Sequence, residues 1–250
     1  MEITFDVAVL LFFIAMLAGT IDAIAGGGGL ITIPALLAVG LPPGAAIATN
    51  KVGGIAAAAA ATLHFLRMRQ IDLKRSRWMM LGAFLGSLVG GIALTGIDSS
   101  VLRQIIPILL IGFALYFLLS PKVGAQDRSE RISMGLYAAT LSPLIGLYDG
   151  FFGPGTGTFL AISLVTLLGM NLVKATAHAK LLNLCSNSAA LVFFSLHGSV
   201  VWSFGLPILA GQWVGGTIGA RLAVTRGHQL IRILMVTMAV VVSVKMILEQ

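Results

Sequence analysis

Long apolar segments alternate with short polar connections along almost the whole chain. A helix needs roughly 20 apolar residues to cross about 30 Å of hydrocarbon. Segments near that length predict about eight membrane-spanning helices, over residues 4–25, 44–66, 78–96, 101–120, 132–150, 175–196, 203–222 and 229–248. The pattern therefore predicts an all-α integral membrane protein.

Two further apolar segments are too short to span a membrane alone. They cover residues 30–41 and 157–170, and each follows a run rich in glycine. Short helices of this kind are tolerated at membrane depth where protein or water covers their ends. We expect both to be re-entrant half-helices.

The composition excludes a soluble globular domain. Of the 250 residues, 58% are hydrophobic and 10% are charged, whereas soluble domains carry about 25% charged residues. The formal net charge of +7 would suggest nucleic-acid binding in a soluble protein. In a membrane protein, Lys and Arg collect in cytoplasmic loops instead. We therefore expect a lipid bilayer around the chain and no nucleic-acid partner.

The basic loops predict the orientation. Residues 67–77, the linker at 122–131, Lys174 and a cluster near the last turn hold 12 of the chain's 16 Lys and Arg. All 12 fall on one face of the predicted bundle, which the positive-inside rule assigns to the cytoplasm. Both termini then lie on the opposite, outer side.

The first half of the sequence recurs in the second. GTIDAIAG at residues 19–26 matches GLYDGFFG at 146–153, and AIATNK ending at Lys51 matches ATAHAK ending at Lys180. The basic loops of the two copies occupy opposite members of each matched pair, as expected if the copies are inserted upside down. The predicted inverted repeat comprises a first copy at residues 1–121, a cytoplasmic linker at 122–131 and a second copy at 132–250.

Glycine-rich runs interrupt the helix pattern at matching places of both copies. Four adjacent glycines disfavour a helix, since each costs about 1 kcal/mol relative to alanine, and Pro154 removes a backbone donor. A broken helix presents N–H groups and a positive dipole end to an anion. Small-residue helix packing is the alternative. The predicted anion-binding backbone belongs to Gly26, Gly27, Gly28, Gly29, Gly153, Gly155, Thr156 and Gly157.

An aspartate precedes each break. Asp22 and Asp149 lie in apolar surroundings, where a lone charge costs at least about 2.5–3.5 kcal/mol. One interpretation is a cap that satisfies N–H groups of the break. The other is a carboxyl group that binds a proton coupled to transport, and the two are compatible.

A lysine follows each half-helix in the same frame of the two copies. Lys51 and Lys180 lie on stretches of small residues, and we predict that they flank one anion site near the axis relating the copies. Snorkelling to the interface is the alternative. Polar neighbours are candidate substrate ligands, with hydrogen bonding between helices as their alternative; they are Thr49, Asn50, His178 and Asn183.

Other classes of site lack their sequence signatures. No two histidines share a helix at the spacing of metal ligands. A nucleotide-binding loop of the GxxxxGKS type is absent, and no Ser/His/Asp constellation stands out. We therefore expect a protein that is not an enzyme and that uses neither a metal nor a cofactor.

The paired motifs resemble those of a known family. GTIDAIAGGGGLITIPALL with ATNK, and GLYDGFFGPGTGTFL with AHAK, are similar to the TauE/SafE sulfite exporter family, also called TSUP or YfcA-like. The resemblance covers nearly the whole chain. It implies a bacterial inner-membrane permease of duplicated four-helix units for sulfur-containing anions such as sulfite, sulfoacetate or related organosulfonates. Pro154 and Thr156 replace glycines of the first copy, so the two half-sites are not equivalent.

The resulting hypothesis is a secondary transporter that exports or exchanges a small sulfur-containing anion by alternating access, with a proton as one candidate coupling ion. Lys51 and Lys180 neutralise the charge of the anion in this hypothesis. An anion channel, a cation or metal carrier that uses the paired aspartates, and an accessory membrane subunit remain alternatives. The sequence leaves the substrate, the direction, the coupling ion and any homo-oligomeric assembly open.

Overall fold

The structure is a computed structural model that describes residues 3–102, 104, 105, 108 and 129–226. This part of the chain is helical and contains no strand. Its helices are α1 (Phe5–Ala25), α2 (Gly29–Ala38), α3 (Pro43–Arg67), α4 (Leu73–Thr95), α5 (Met134–Ala139), α6 (Leu141–Phe151), α7 (Thr156–Leu168), α8 (Leu172–Leu196) and α9 (Trp202–Arg226). Residues 99–102 are also helical.

The long helices follow the apolar segments of the sequence. Helices α1, α3, α4 and α8 are each long and apolar enough to cross a membrane. The predicted span at 229–248, most of the predicted span at 101–120 and most of the linker at 122–131 lie outside the described residues. The described helices therefore have the composition and length of an all-α membrane protein.

Helices α2 and α7 are much shorter. They contain 10 and 13 residues, which at about 1.5 Å per residue corresponds to roughly 15 and 20 Å. The hydrocarbon layer is about 30 Å thick. These lengths suit the half-helices predicted at 30–41 and 157–170, whose re-entrant course stays a prediction.

One predicted helix is divided in the structure. The sequence predicts a single helix over residues 132–150, whereas α5 ends at Ala139 and α6 begins at Leu141. Pro143 explains the division, because a proline ring clashes with the carbonyl group four residues earlier, here that of Ala139. The Thr140 hydroxyl donates to the carbonyl oxygen of Leu136 at 2.7 Å and helps to close α5.

Glycines bring two pairs of helices into backbone contact. A Cβ atom on Gly215 of α9 would overlap the carbonyl group of Met16 on α1, and one on Gly86 of α4 would overlap that of Pro143 on α6. Small residues let membrane helices approach closely and gain van der Waals contact. The predicted repeat pairs Gly86 with Gly215 and Pro143 with Met16. The same close approach recurs at Gly82, Gly90, Gly211 and Gly219.

Helices α3 and α8 form the buried centre of the described structure. Helix α3 packs against α8 and α9, and α8 packs against α3, α4 and α7. Alanines along α3 are fully buried, for example Ala57 and Ala61. Large apolar side chains on the outer helices are exposed, as suits contact with lipid; they include Phe5, Phe13, Leu85, Val89, Ile92 and Trp213. The small residues of α3 and α8 thus bring both helices, with their lysines, into the interior.

Candidate functional site

Both helix breaks occur where the sequence predicts them. Helix α1 ends at Ala25, and Gly26 follows with a φ of 79° and donates its N–H to the Asp22 carbonyl oxygen at 2.7 Å. Between α6 and α7, Gly153 and Gly155 have φ values of 99° and 86°. Glycine adopts this left-handed backbone at no steric cost. The glycines therefore end one helix and let the next begin in a new direction.

The two lysines form ion pairs that cross between the halves of the chain. Lys51 Nζ on α3 lies 3.0 Å from Asp149 Oδ1 on α6, and Lys180 Nζ on α8 lies 3.0 Å from Asp22 Oδ2 on α1. The lysine side chains are 0% and 1% exposed. Burial of this degree argues against snorkelling. Lys51 lies beside Gly153 of the second break and Lys180 beside Gly157, but each is already neutralised by an aspartate.

The two carboxylates have different surroundings. Asp149 accepts from Lys51 and from the side chains of Thr156 at 3.1 Å, Asn183 at 3.2 Å and Ser186. Asp22 accepts from Lys180 at 3.0 Å and from the N–H of Gly28 at 3.2 Å. The cap interpretation therefore describes Asp22, which holds an N–H group of its own break. Asp149 instead ties α6 to side chains of α3, α7 and α8.

Glycine is also required beside the ammonium groups. A Cβ atom on Gly153 would lie 2.6 Å from Lys51 Nζ, and one on Gly157 would lie 3.0 Å from Lys180 Nζ. Gly26 and Gly157 bring the two breaks together, since a Cβ on Gly157 would also lie 2.7 Å from the Cα of Gly26. Larger residues at these positions would push the lysines away from their carboxylates.

The breaks offer fewer unoccupied backbone donors than the sequence suggests. The N–H groups of Leu30 and Ile31 donate to the carbonyl oxygens of Gly27 and Gly28. In the second break, the N–H of Thr156 donates to Gly153 and that of Thr158 to Gly155. Of the N–H groups predicted to face an anion, that of Thr156 is satisfied by such a turn, and those of Gly26 and Gly28 donate to Asp22.

A small polar cavity of about 20 Å³ lies at the junction of the two breaks. A single water molecule needs about 10–15 Å³ of such volume, so an oxyanion enters only after the surrounding side chains separate. Predicted site residues that line the cavity are Asp22, Asp149, Asn50, Asn183, Gly26, Gly29, Gly153 and Gly157.

Three lining residues are absent from the predicted site. Gly54 and Gln212 lie far from both breaks in sequence, and Asn187 lies one turn beyond Asn183. Gln212 is 1% exposed within the apolar stretch 204–216 of α9, and a lone amide in such a stretch is the signal that identifies it. Gly54 has no comparable signal, because it resembles the other packing glycines.

Thr49 and His178 do not line this cavity. The Thr49 hydroxyl accepts from the N–H of Val201 at 3.0 Å, just before α9. Nε2 of His178 accepts from the N–H of Asp72 at 3.4 Å, just before α4. The predicted repeat pairs Thr49 with His178 and Asp72 with Val201. Both side chains therefore anchor the start of a helix from the other half of the chain, which fits the alternative interpretation, hydrogen bonding between helices.

His178 faces a second, larger cavity on the side of the basic loop 67–77. This cavity has a volume of about 360 Å³, and its charged lining includes Arg69, Arg75, Lys174 and Glu130. Arg75 Nη2 lies 3.6 Å from Glu130 Oε1. Nδ1 of His178 lies 2.8 Å from the Lys174 carbonyl oxygen, so Nδ1–H donates there while Nε2 accepts.

The chain is similar to one protein family and to individual proteins that are named as probable membrane transporters. The family described as "Sulfite exporter TauE/SafE" matches residues 11–246. A "Probable membrane transporter protein" of Haemophilus influenzae is 44% identical over 250 residues, covering 100% of this chain and 98% of the relative. "Probable membrane transporter protein YfcA" of Escherichia coli is 46% identical over 239 residues, covering 96% and 89%.

A more distant relative is "Probable membrane transporter protein YunE" of Bacillus subtilis. It is 23% identical over 261 residues, covering 94% of this chain and 95% of the relative. No solved structure matches the chain.

Proposed function

Because the chain belongs to the sulfite exporter TauE/SafE family, whose members are membrane transporters and not enzymes, we propose that it is a secondary carrier for small sulfur-containing anions. Sulfite and organosulfonates are the candidate solutes. The carrier exports them across the bacterial inner membrane by alternating access, with both termini on the periplasmic side. A proton is the proposed coupling ion, with Asp22 and Asp149 as its candidate sites.

The observation that carries this proposal is the pair of buried ammonium groups beside one polar cavity. Ionisable residues inside a membrane are costly and are typical of substrate and ion pathways. Lys51 and Lys180 are buried in the two central helices, and each is held by a carboxylate of the other half. A positive charge at this depth is a binding partner for an anion that leaves water.

The amide groups of the cavity complement a sulfur oxyanion. Its oxygens accept hydrogen bonds and donate few, whereas ammonium groups and side-chain amides supply donors. Asn50, Asn187 and Gln212 line the cavity beside the ion pairs. The donors come from α3, α8 and α9, so a bound anion contacts helices of both halves.

The crossed ion pairs suggest how access alternates. Each pair joins one half of the chain to the other, and the cavity between them is too small for an oxyanion in this conformation. An entering anion competes with a carboxylate for a lysine and weakens one bridge between the halves. The halves then rock about the breaks, as in other carriers with interrupted helices.

Anion transport is tested with the purified full chain in liposomes. We expect exchange of radiolabelled sulfite, and a higher melting temperature with whichever of sulfite, thiosulfate, sulfate, sulfoacetate or taurine binds the folded state. Lys51→Gln and Lys180→Gln should each lose about 10- to 100-fold in exchange, since a hydrogen bond to a charged group contributes about 1.5–3 kcal/mol. The exposed Lys74→Gln is the control with wild-type exchange.

The same experiment separates the alternatives. A cation or metal carrier keeps its activity in both lysine variants, because the aspartates then do the binding. An anion channel gives single-channel currents in planar bilayers, far above the rate of a carrier. Liposomes that move none of the anions would support an accessory role and contradict the proposal.

A further inference from the structure

We infer that the carrier moves one monovalent oxyanion together with one proton, that Asp22 binds the proton, and that Lys180 then binds the anion. This inference rests on the proposed function and specifies the charge of its substrate and its coupling. The charges, the hydrogen bonds and the exposure of the two ion pairs carry it.

Within the residues that the structure describes, the charges of the site balance before any solute enters. Lys51 is paired with Asp149 and Lys180 with Asp22, so two positive charges balance two negative charges. A buried charge that lacks a partner costs several kcal/mol. An added monovalent anion would leave one negative charge without a partner. Binding one proton along with the anion restores neutrality.

The two carboxylates are not equivalent as proton sites. Both oxygens of Asp149 already face donors, which are Lys51 and Thr156 on one oxygen and Asn183 and Ser186 on the other. A protonated Asp149 would place its own O–H among these donors. Asp22 accepts from one donor on each oxygen, Lys180 and the Gly28 N–H. Asp22 therefore has room for a hydroxyl group once Lys180 moves.

The exposed fraction of the side chain favours the same residue. The side chain of Asp22 is 11% exposed, and that of Asp149 is 2% exposed. The groups that face Asp22 across the cavity are Lys180 from α8, the neutral Gln212 from α9 and the Lys51–Asp149 pair. A proton can reach Asp22 while the Lys51–Asp149 pair stays intact.

In this loading step, the Lys180 ammonium group changes its partner from Asp22 to the anion. A proton binds Asp22 at Oδ2, and the contact between Oδ2 and the Lys180 ammonium group breaks. Oδ1 keeps the bond from the Gly28 N–H, so the helix break stays closed. Lys180 keeps its own proton and takes the anion instead. The site then holds two ammonium groups, one carboxylate and one monovalent anion, and is neutral again.

A neutral loaded site has consequences for export. The membrane potential does not drive the loaded carrier, because no net charge crosses the membrane. Efflux then depends on the anion gradient and the proton gradient together, and each anion removes one proton from the cell. A divalent anion such as sulfate would leave a negative charge in the site, so sulfonates and hydrogensulfite are favoured over sulfate.

The test measures protons and anions together in liposomes that contain the purified chain and a pH-sensitive dye. Methanesulfonate is the probe, because it remains singly charged wherever the protein is folded. An inward methanesulfonate gradient should acidify the lumen by one proton per anion, at a rate that potassium and valinomycin do not change. Sulfate should exchange at least about tenfold more slowly. Anion entry without acidification, or a rate that follows the potential, overturns the inference.

Asp22→Asn identifies the proton site. The asparagine oxygen still accepts from the Gly28 N–H but cannot bind a proton, so we expect exchange at an altered rate, with acidification and pH dependence lost. Asp6→Asn, an exposed acid on the same helix, should behave as the wild type. Acidification that persists in Asp22→Asn overturns the assignment. The wild-type stoichiometry decides the coupling even if Asp22→Asn does not fold.

Failure of the inference and failure of the proposed function differ in this experiment. A wild-type protein that exchanges neither sulfite nor methanesulfonate contradicts both. Sulfite exchange with no movement of methanesulfonate overturns the assigned class of monovalent oxyanions only. Methanesulfonate exchange without a proton overturns the coupling and leaves the anion carrier in place.

Discussion

The buried charges of Lys51 and Lys180 are stabilised by residues that are distant from them in sequence. Lys51 donates to both the side chain and the carbonyl oxygen of Asp149, and Lys180 donates to Asp22. Removing one member of a buried ion pair costs about 3–5 kcal/mol, because the other charge is left alone. Transport by the lysine variants is therefore informative only beside a thermal unfolding measurement on the same sample.

Thr49 and His178 perform one task with different chemistry. Each accepts a backbone N–H at the start of a helix from the other half of the chain, α9 for Thr49 and α4 for His178. A hydroxyl and an imidazole nitrogen both have the lone pair that this contact needs. The fold therefore requires a hydrogen-bond acceptor for the Asp72 N–H at position 178, and not an imidazole as such.

We predict that His178→Gln, whose side-chain oxygen reaches about as far from the backbone as Nε2, keeps the fold and transport, whereas His178→Leu lowers stability. Leucine removes the acceptor of the Asp72 N–H, a partly buried hydrogen bond whose net contribution is about 0.5–1.5 kcal/mol. That corresponds to a fall in melting temperature of roughly 2–4 °C per kcal/mol. Melting in detergent and sulfite exchange in liposomes measure the two effects.

The matched control is Thr49→Val, which removes the equivalent acceptor and should lower stability in the same way. If His178→Gln folds normally but no longer transports, the imidazole itself contacts the solute, and the anchor account is wrong.

At the scale of the helices, we predict that Gly215→Ala and Gly86→Ala both destabilise the protein. A Cβ atom at either position would overlap a carbonyl group of the helix packed against it, Met16 on α1 or Pro143 on α6. Overpacking of a close contact costs typically about 1–3 kcal/mol. Thermal unfolding in detergent should show lower melting temperatures for both variants.

Gly135→Ala is the matched control for these glycines. Gly135 lies in α5, and a Cβ atom there meets nothing within 4 Å among the described residues. Alanine favours a helix by about 1 kcal/mol over glycine, so this variant should melt at the wild-type temperature or above it. If all three variants melted at the same temperature, the glycine contacts would not hold the helices together.

The helices were more predictable than the contacts between them. Apolar segments predict the described long helices because hydrophobic length is a local property, and glycine runs predict the breaks for the same reason. The partners of Lys51 and Lys180 depend on which helices pack together, so the sequence led us to expect lysines free to bind an anion. The division between α5 and α6 could have been predicted, because Pro143 lies inside the single helix that the sequence predicts.

For the whole molecule, contacts that cross between the halves are the recurring feature. The ion pairs Lys51–Asp149 and Lys180–Asp22 each join a lysine of one half to an aspartate of the other. The hydrogen bonds of Thr49 and His178 also join the two halves. In the predicted repeat, the two ion pairs occupy corresponding positions, and so do Thr49 and His178. A junction built in this way has similar contacts on both of its sides, which suits a carrier that opens to each side of a membrane in turn.

The orientation of the whole molecule gives the last prediction. In a Cys185→Ser background, which removes the chain's single cysteine, we introduce His197→Cys or Lys74→Cys at exposed positions. The inverted repeat and the basic loop 67–77 place His197 outside the cell and Lys74 in the cytoplasm. A membrane-impermeant maleimide should therefore label His197→Cys on spheroplasts, and Lys74→Cys only after the membrane is permeabilised. Labelling of both from the outer side contradicts the inverted arrangement, because these positions follow corresponding helices, α8 and α3, of the two copies. The reverse pattern keeps the inversion but places the basic loops outside, so that the termini would be cytoplasmic.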